Sequence, residues 1–166
     1  SSRGLGDVYK RQYQHHRKKR KKIIITNDCF DTSINIIKSR FKYMNIECIT
    51  SDFESVSIDN TVCAIIGQFP SKTGQLNDYT NLFNQCKTHQ CISILSTDPL
   101  ALTLFKSPNE MNAEIAVGSS QRLGVPLGFG GPSAAYIACK DHLKRLLPGR
   151  IIGMSVSYTH LTLPTT

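Results

Sequence analysis

The chain has 166 residues, a hydrophobic fraction of 40% and a formal net charge of +8. That length allows one compact domain with a real core, and no apolar run approaches the roughly 20 residues that a membrane helix needs. All of the excess charge lies in residues 1–22, so the neutral remainder argues against nucleic acid as a partner, because a nucleic-acid-binding fold normally spreads its bases over one face.

Both ends of the chain carry a signature of sequencing-library adaptors. Asp7–Gln12 (DVYKRQ) and Val156–Leu161 (VSYTHL) back-translate to DNA strings that are nearly reverse complements. The pair resembles a transposon end read inward from both sides. We therefore expect residues 1–12 and 156–166 to be adaptor-derived, and residues 13–155 to be a native segment cut from a longer protein.

A basic run, Arg17–Lys22 (RKKRKK), precedes the first predicted strand. Such a run can be a nuclear signal or a nucleic-acid-binding arm. A solvated lead-in to the first strand is the favoured interpretation, since the rest of the chain offers no basic face to match it.

The first predicted unit is a strand followed by a helix. Lys22–Thr26 (KIIIT) is a continuous β-branched run, typical of a strand buried on both faces. One apolar stripe at helical spacing follows it, with candidate N-caps in front and a stop behind. The caps are Asp31, Thr32 and Ser33, the stripe is Ile34, Ile37, Phe41 and Met44, and the stop is Asn45.

The pattern then repeats along the chain. Strand Ile46–Thr50, loop Ser51–Asn60 and the buried strand Val62–Gly67 come first, and a second helical stripe begins at Leu76. That stripe continues through Tyr79, Phe83 and Cys86. The later predicted strands are Cys91–Leu95, Ala113–Val117 and Ala134–Cys139. A short helix is predicted at Leu100–Phe105, and a basic helix capped by Asp141 is predicted to stop at Pro148-Gly149.

Strands of five or six residues alternate with helices of about twelve. This alternation predicts an α/β fold, a mostly parallel sheet with helices on both faces. Ligands in such folds lie beyond the carboxyl ends of the strands. Asp98 and the loop that starts at Gly118 follow two of those ends and are the candidate site.

The cysteines indicate neither a disulfide framework nor a metal site. They are scattered, without a CxxC pair and without His at zinc spacing. Cys63 lies inside an apolar run, where a free thiol behaves as a small hydrophobe. A reducing compartment is therefore predicted for the six residues Cys29, Cys48, Cys63, Cys86, Cys91 and Cys139.

Gly118–Pro132 (GSSQRLGVPLGFGGP) is the most informative segment. Its glycines and prolines exclude a helix or a regular strand. Gly128, Gly130 and Gly131 allow positive φ and close approach of the backbone, which suits a phosphate cradle or tight packing against another chain. Packing is the favoured use, because the loop has neither the Walker lysine pattern nor the dinucleotide fingerprint.

This segment, extended to Ala135, resembles a signature stretch of glycine cleavage system P-proteins. The resemblance covers roughly residues 21–155 and implies a truncated large domain of the fold-type I pyridoxal-phosphate transferase type. It further implies a parent that decarboxylates glycine with pyridoxal phosphate and passes the aminomethyl group to the lipoyl H-protein. The other matching elements are Gly67-Gln68-Phe69-Pro70, Ser96–Leu102 (STDPLAL), Glu114–Gly118 (EIAVG) and Leu147–Ser155 (LPGRIIGMS).

One departure from the family pattern indicates which half of a P-protein the chain represents. In the cofactor-bearing half, a His-Lys pair precedes a proline and a glycine run. Aligning Pro126 and Gly128–Pro132 with those features places the pair on Ser120-Gln121. A glutamine amide is not the nucleophilic amine that an imine requires. The resemblance therefore implies the amino-terminal, catalytically silent half, with no catalytic, cofactor-binding or metal residue of its own.

Two weaker candidates accompany this assignment. The same alignment puts Asp98 where fold-type I enzymes keep the aspartate that pairs with the cofactor's pyridinium nitrogen, although a helix N-cap ahead of Pro99 is the favoured role. A basic patch could receive H-protein, but a solvated face is the commoner use of such residues. The patch comprises His142, Lys144, Arg145 and Arg150.

The implied partners are the lysine-bearing half of P-protein, the H-protein and glycine, within a dimeric parent and without nucleic acid or membrane. The parent would be mitochondrial if eukaryotic, which Gly118–Gln121 favours, and cytoplasmic otherwise. The isolated chain is expected to be inactive. A non-catalytic binding module with a degenerate transferase fold is the alternative.

Overall fold

A computed structural model of the chain describes residues 20–130 and 134–147. It contains a six-stranded sheet in the order β2-β1-β3-β4-β5-β6. The first five strands are parallel, and β6 pairs antiparallel with β5 at the edge. The predicted α/β class with a mostly parallel sheet is confirmed. The strands are β1 (Lys22–Thr26), β2 (Glu47–Ser51), β3 (Val62–Phe69), β4 (Ile92–Thr97), β5 (Ile115–Ser119) and β6 (Ala135–Cys139).

Two α-helices cover opposite faces of this sheet. Helix α1 (Asp31–Lys42) connects β1 to β2, and helix α2 (Thr80–Thr88) connects β3 to β4. Side chains alternate along β1, so Ile23 packs in one apolar cluster and Ile24 in the other. Coverage on both faces explains why the central strands are continuous apolar runs rather than alternating ones. Helix α1 contributes Ile34, Ile37 and Phe41 to the first cluster, and α2 contributes Leu82, Phe83 and Cys86 to the second.

The predicted N-cap of α1 is wrong. The helix begins at Asp31, its N-cap is Phe30, and that cap makes no side-chain hydrogen bond. Instead the Phe30 N–H is bonded by the side chain of Gln68, which reaches across from the end of β3. Asp31 still favours the helix start, since a carboxylate in the first turn complements the helix dipole.

The second helix is shorter than its apolar stripe predicts. Leu76 is exposed and precedes α2, whereas Tyr79 lies fully buried at its N-cap. The chain between the end of β3 at Phe69 and the start of α2 at Thr80 is a loop. The predicted short helix near residue 100 is a 3-10 helix, Ala101–Thr103.

The C-terminal elements also differ in detail. Asp141 is the first residue of a 3-10 helix, Asp141–Leu146, whose N-cap is Lys140. Gly118 and Ser119 belong to β5, and a short 3-10 helix, Gln121–Leu123, follows them. The rest of the glycine-rich segment is irregular between Ser120 and Gly130. The predicted stop at Pro148-Gly149 lies outside the described residues.

The described part of the basic run is engaged by the fold. The guanidinium of Arg20 donates hydrogen bonds to the carbonyls of Val62, His89 and Gln90, at 3.1, 2.7 and 3.2 Å. His89 is the C-cap of α2, where a cation is favoured by the helix dipole. Arg20 therefore anchors the entry to β1 on the end of α2, which a solvated lead-in would not do.

None of the helices in the described residues is long and apolar enough to cross a membrane. All six cysteines are free, as predicted. Cys29 and Cys63 are almost fully buried, and burial raises the pKa of each thiol to about 12.

These raised pKa values predict a loss of stability at high pH. The unfolded thiols ionise first as the pH rises above 9, the ordinary value for a thiol, while the buried thiols stay protonated. The free energy of unfolding should then fall by about 1 kcal/mol per pH unit for each such thiol, between about pH 9 and pH 12. Denaturant unfolding under reducing conditions measures this slope. The slope of a Cys63→Ala variant should be shallower, and an unchanged slope would contradict the assignment.

Candidate functional site

The carboxyl ends of β3, β4 and β5 open into a cleft of about 1220 Å³. Its position is that of ligand sites in open α/β sheets. One wall is helix α1, the second is the loop after β3, and the third comes from the start of the glycine-rich segment and β6. Lining residues include Phe30, Ile36, Lys72, Leu76, Ser96, Thr97, Asp98, Phe105, Ser119, Gln121, Arg122 and Tyr136.

A buried tyrosine fixes the wall that follows β3. The Tyr79 hydroxyl donates a 2.6 Å hydrogen bond to the Asp28 carboxylate, lies 3.1 Å from Thr26 Oγ1 and accepts the Gln68 N–H at 3.3 Å. Burial raises the pKa of Tyr79 above its usual range, so the phenol remains a donor. A Cβ at Gly67 would lie 2.3 Å from the tyrosine ring, so only glycine leaves room for it.

Gln68 ties this wall to helix α1. Its Oε1 accepts the Phe30 N–H at 3.1 Å, and its Nε2 donates to the Pro70 carbonyl at 3.3 Å. The Lys72 ammonium pairs with the Asp31 carboxylate at 2.7 Å. Gly67, Gln68 and Phe69 therefore each have a structural role. Gly67 leaves room for the Tyr79 ring, Gln68 bonds the Phe30 N–H, and the Phe69 side chain is buried.

A second tyrosine fixes the opposite wall. The Tyr136 hydroxyl donates to the Thr97 carbonyl at 3.0 Å and also contacts the Thr97 hydroxyl. A Cβ at Gly118 would lie 2.1 Å from the Thr97 carbonyl and 2.7 Å from the Tyr136 ring. Gly118 thus permits a close approach within the sheet, which the composition of the segment did not reveal.

Asp98 has two partners at the end of β4. Its Oδ1 accepts the Leu100 N–H at 3.0 Å, and its Oδ2 lies 3.0 Å from the Arg122 guanidinium. The predicted role of Asp98 as a helix N-cap is wrong, because the N-cap of the 3-10 helix that follows is Leu100. The hydrogen bond from the Leu100 N–H to the Asp98 side chain, two residues earlier, forms an Asx-turn instead. The Asp98 side chain is 21% exposed and the Arg122 side chain is 68% exposed, so the ion pair lies at the margin of the cleft.

The cleft does not fit a Schiff-base cofactor. Gln121, which lines the cleft, carries an amide and has no nucleophilic amine. Lys72 also lines the cleft, but its ammonium is paired with Asp31 on the α1 side. Asp98 is already bonded by Arg122 and Leu100. Within residues 20–130 and 134–147, no group of three His, Cys, Asp or Glu residues could hold a metal ion.

The predicted basic patch is largely paired with acids. His142 Nε2 lies 3.4 Å from a Glu114 carboxylate oxygen, and the Lys144 ammonium lies 2.8 Å from Asp141. Arg145 is exposed, and Arg150 lies outside the described residues. The patch therefore offers less free charge than its sequence indicates.

Solved structures define the class of fold. A crystal structure of an inhibitor-bound glycine decarboxylase (P-protein) of the glycine cleavage system matches 90% of the chain with a TM-score of 0.82 at 24% identity, over 35% of its own length. A putative O-acetylhomoserine (thiol)-lyase from Campylobacter jejuni, solved with a pyridoxyl-lysine phosphate group, matches 67% of the chain with a TM-score of 0.52 at 15% identity, over 30% of its own length. The fold is therefore part of the large domain of fold-type I pyridoxal-phosphate enzymes.

The sequence comparisons are more specific. The family model of the glycine cleavage system P-protein matches residues 5–161. Proteins named glycine dehydrogenase (decarboxylating) from Roseobacter denitrificans and a Synechocystis strain are 44% and 39% identical to the chain. A protein from Solanum tuberosum with the same name, marked as mitochondrial, is 38% identical to it. Each of these matches covers 84 to 86% of the chain. The chain belongs to the glycine cleavage system P-protein family. It spans only about 15% of the length of these relatives.

We predict that Gly67→Ala is strongly destabilising, because the added Cβ would meet the Tyr79 ring at 2.3 Å. Overpacking of this kind costs about 1–3 kcal/mol of unfolding free energy. A double-mutant cycle in denaturant gives the control. In a Tyr79→Leu background the same substitution should cost much less, and an equal cost in both backgrounds would show that the ring is not the cause.

We also predict unequal costs at the Asp98–Arg122 pair. Asp98→Ala removes the turn acceptor as well as the ion pair and should cost about 1 kcal/mol or more. Arg122→Ala removes only the contact of a side chain that is 68% exposed, and should cost less than about 1 kcal/mol. Asp98→Asn, which keeps the acceptor, should resemble Arg122→Ala in denaturant unfolding. If Arg122→Ala proves as costly as Asp98→Ala, the ion pair rather than the turn is the main contribution.

Proposed function

We propose that the chain is part of the amino-terminal, lysine-less half of a glycine decarboxylase, and that it shapes the protein without carrying out the chemistry. The observation that carries this proposal is Gln121. It follows β5 at the mouth of the cleft, and its side chain is an amide. The resemblance of the glycine-rich segment to P-proteins matches it to the imine-forming lysine. A segment with the family's fold and without that amine suits a structural half.

The activity proposed for the parent protein is that of its named relatives, oxidative decarboxylation of glycine. Pyridoxal phosphate would supply the electron sink for loss of carbon dioxide, and the lysine-bearing half would hold it. The aminomethyl group would pass to the lipoyl arm of H-protein. We further propose a dimeric parent, and an isolated chain without activity.

The contribution of this segment would be to form a wall beside the active site of the lysine-bearing half. The walls of the cleft are held by packed tyrosines and by hydrogen bonds between strand ends. Four large apolar side chains line it while remaining partly exposed, as expected of a surface that further polypeptide covers. These are Phe30, Ile36, Leu76 and Phe105.

A stand-alone binding module with the same degenerate fold is the second candidate. The Asp98–Arg122 ion pair supports it, because the aspartate that the resemblance matches to the partner of the cofactor's pyridinium nitrogen is paired with an arginine of the same chain. It requires native ends on both sides of the described fold. The family's relatives are about seven times longer than the matched segment, which favours the first proposal.

The compartment and the chain ends follow from the same proposal. The protein would be mitochondrial in a eukaryote, as the name of the Solanum tuberosum relative states for that protein, and cytoplasmic in a bacterium. Residues 1–12 and 156–166 would come from adaptor sequence, leaving residues 13–155 as the native segment.

Sequencing the locus across both ends by a transposon-free method tests the proposal. We expect the reading frame to continue past Ser155 into a second half that carries His-Lys ahead of a glycine run. We also expect DNA other than the adaptor to encode the residues before position 13. Native start and stop codons flanking residues 13–155 would exclude decarboxylation for this gene product and leave the binding module as its function.

A further inference from the structure

Two ion pairs border the cleft, and their carboxylates differ in exposure. The Lys72 ammonium lies 2.7 Å from Asp31, whose side chain is 78% exposed, and the Arg122 guanidinium lies 3.0 Å from Asp98, whose side chain is 21% exposed. An exposed carboxylate keeps most of its water, so the loss of its partner costs little. A carboxylate that is largely withdrawn from water needs a partner for its charge. Of these two acids, Asp98 therefore depends more on its cation.

The Asp98 carboxylate is held in place by its own backbone and its neighbours in the sheet. The Asp98 N–H donates to the Phe69 carbonyl at the end of β3 at 3.3 Å, and Oδ1 accepts the Leu100 N–H at 3.0 Å. The second oxygen, Oδ2, is taken by Arg122, which belongs to the 3-10 helix Gln121–Leu123 that follows β5. The acid is thus fixed at the ends of β3 and β4, whereas its cation is supplied by a separate element.

A free Oδ2 at this place would suit a planar cation. A carboxylate at the carboxyl end of a strand accepts a charge-assisted hydrogen bond from a protonated ring nitrogen, and the aromatic side chains of Phe105 and Tyr136 line the same cleft. The Arg122 guanidinium is itself a planar cation that stays protonated throughout the ordinary pH range. It therefore supplies from within the chain the contact that such a ligand would make.

We propose that Arg122 closes the cleft to pyridine cofactors by taking the Asp98 oxygen that a protonated ring nitrogen would need. The amide of Gln121 removes imine formation, and the neighbouring Arg122 occupies the counter-ion of the ring. Two adjacent residues therefore exclude pyridoxal phosphate in independent ways. We rest the choice of pyridine as the excluded ligand on the proposed function, to which the exclusion adds a second reason for the silence of this half.

The test measures binding of pyridoxine phosphate to the 166-residue chain by equilibrium dialysis. This probe has the pyridine ring and the phosphate but no aldehyde, so it forms no imine with the lysines of the chain. Arg122→Ala should bind the probe at least about tenfold more tightly than the unchanged chain, as expected for one charge-assisted hydrogen bond. Loss of the arginine also weakens the attraction for the phosphate, so a gain in affinity has to come from the freed carboxylate.

A double variant and a matched control identify that carboxylate. Arg122→Ala combined with Asp98→Asn should return the affinity to that of the unchanged chain, although the loss of a negative charge favours the phosphate. Lys72→Ala frees the exposed Asp31 instead and should give no gain. Arg122→Met, which keeps an apolar stem, replaces Arg122→Ala if denaturant unfolding shows that the alanine variant is unstable.

The outcomes separate this inference from the proposed function. The exclusion by Arg122 would be overturned if Arg122→Ala bound no more tightly than the unchanged chain, if its gain persisted in the double variant, or if Lys72→Ala gave an equal gain. Each of these results would leave the proposed function standing. A reading frame that ends within residues 13–155 would overturn the proposed function, and the dialysis results would still decide the inference for the chain itself.

Discussion

Tyr79 lies with its ring against the backbone of Gly67 and its hydroxyl on the Asp28 carboxylate, and the cleft depends on this contact. The carboxylate also accepts the Asn77 side-chain N–H at 3.1 Å, and the Asp28 carbonyl accepts the Lys72 N–H at 2.8 Å. One buried phenol thereby joins the ends of β1 and β3 to the loop that returns over them. That loop is a wall of the cleft, so the shape of the cleft is set in the core beneath it.

The same arrangement occurs twice across the sheet. Gly67 in β3 makes room for Tyr79, whose hydroxyl meets Thr26, the last residue of β1. Gly118 in β5 makes room for Tyr136, whose hydroxyl meets Thr97, the last residue of β4. In both cases the missing side chain matters for space rather than for flexibility, and the tyrosine bonds a neighbouring strand end. The two contacts hold opposite walls of one cleft.

The fold was largely predictable because its signals are local. Continuous β-branched runs such as Lys22–Thr26 identify strands buried on both faces, and the stripe on α1 identifies a helix that packs on one of them. The helix starts were not predictable, since the Phe30 N–H is satisfied by Gln68, which lies 38 residues away in sequence. A long-range acceptor leaves no local capping signature, and polar residues near a helix start attract the assignment instead.

The candidate site was predictable in place but not in content. Asp98 and the segment from Gly118 follow strand ends, and parallel topology alone brings them to one edge. The Asp98–Arg122 pair joins two loops that no periodicity relates, and the function of Gly118 depends on a carbonyl in another strand. The family resemblance located these residues without giving their contacts, which required the structure.

Shape and chemistry are separable in this cleft. The walls are built from tyrosine rings, glycine backbones and hydrogen bonds between strand ends, and none of these contacts involves the side chain at position 121. A change from an amine to an amide at that position would remove imine formation while leaving every wall in place. A segment without an amine at position 121 can therefore keep these walls, because the contacts that build them involve other residues.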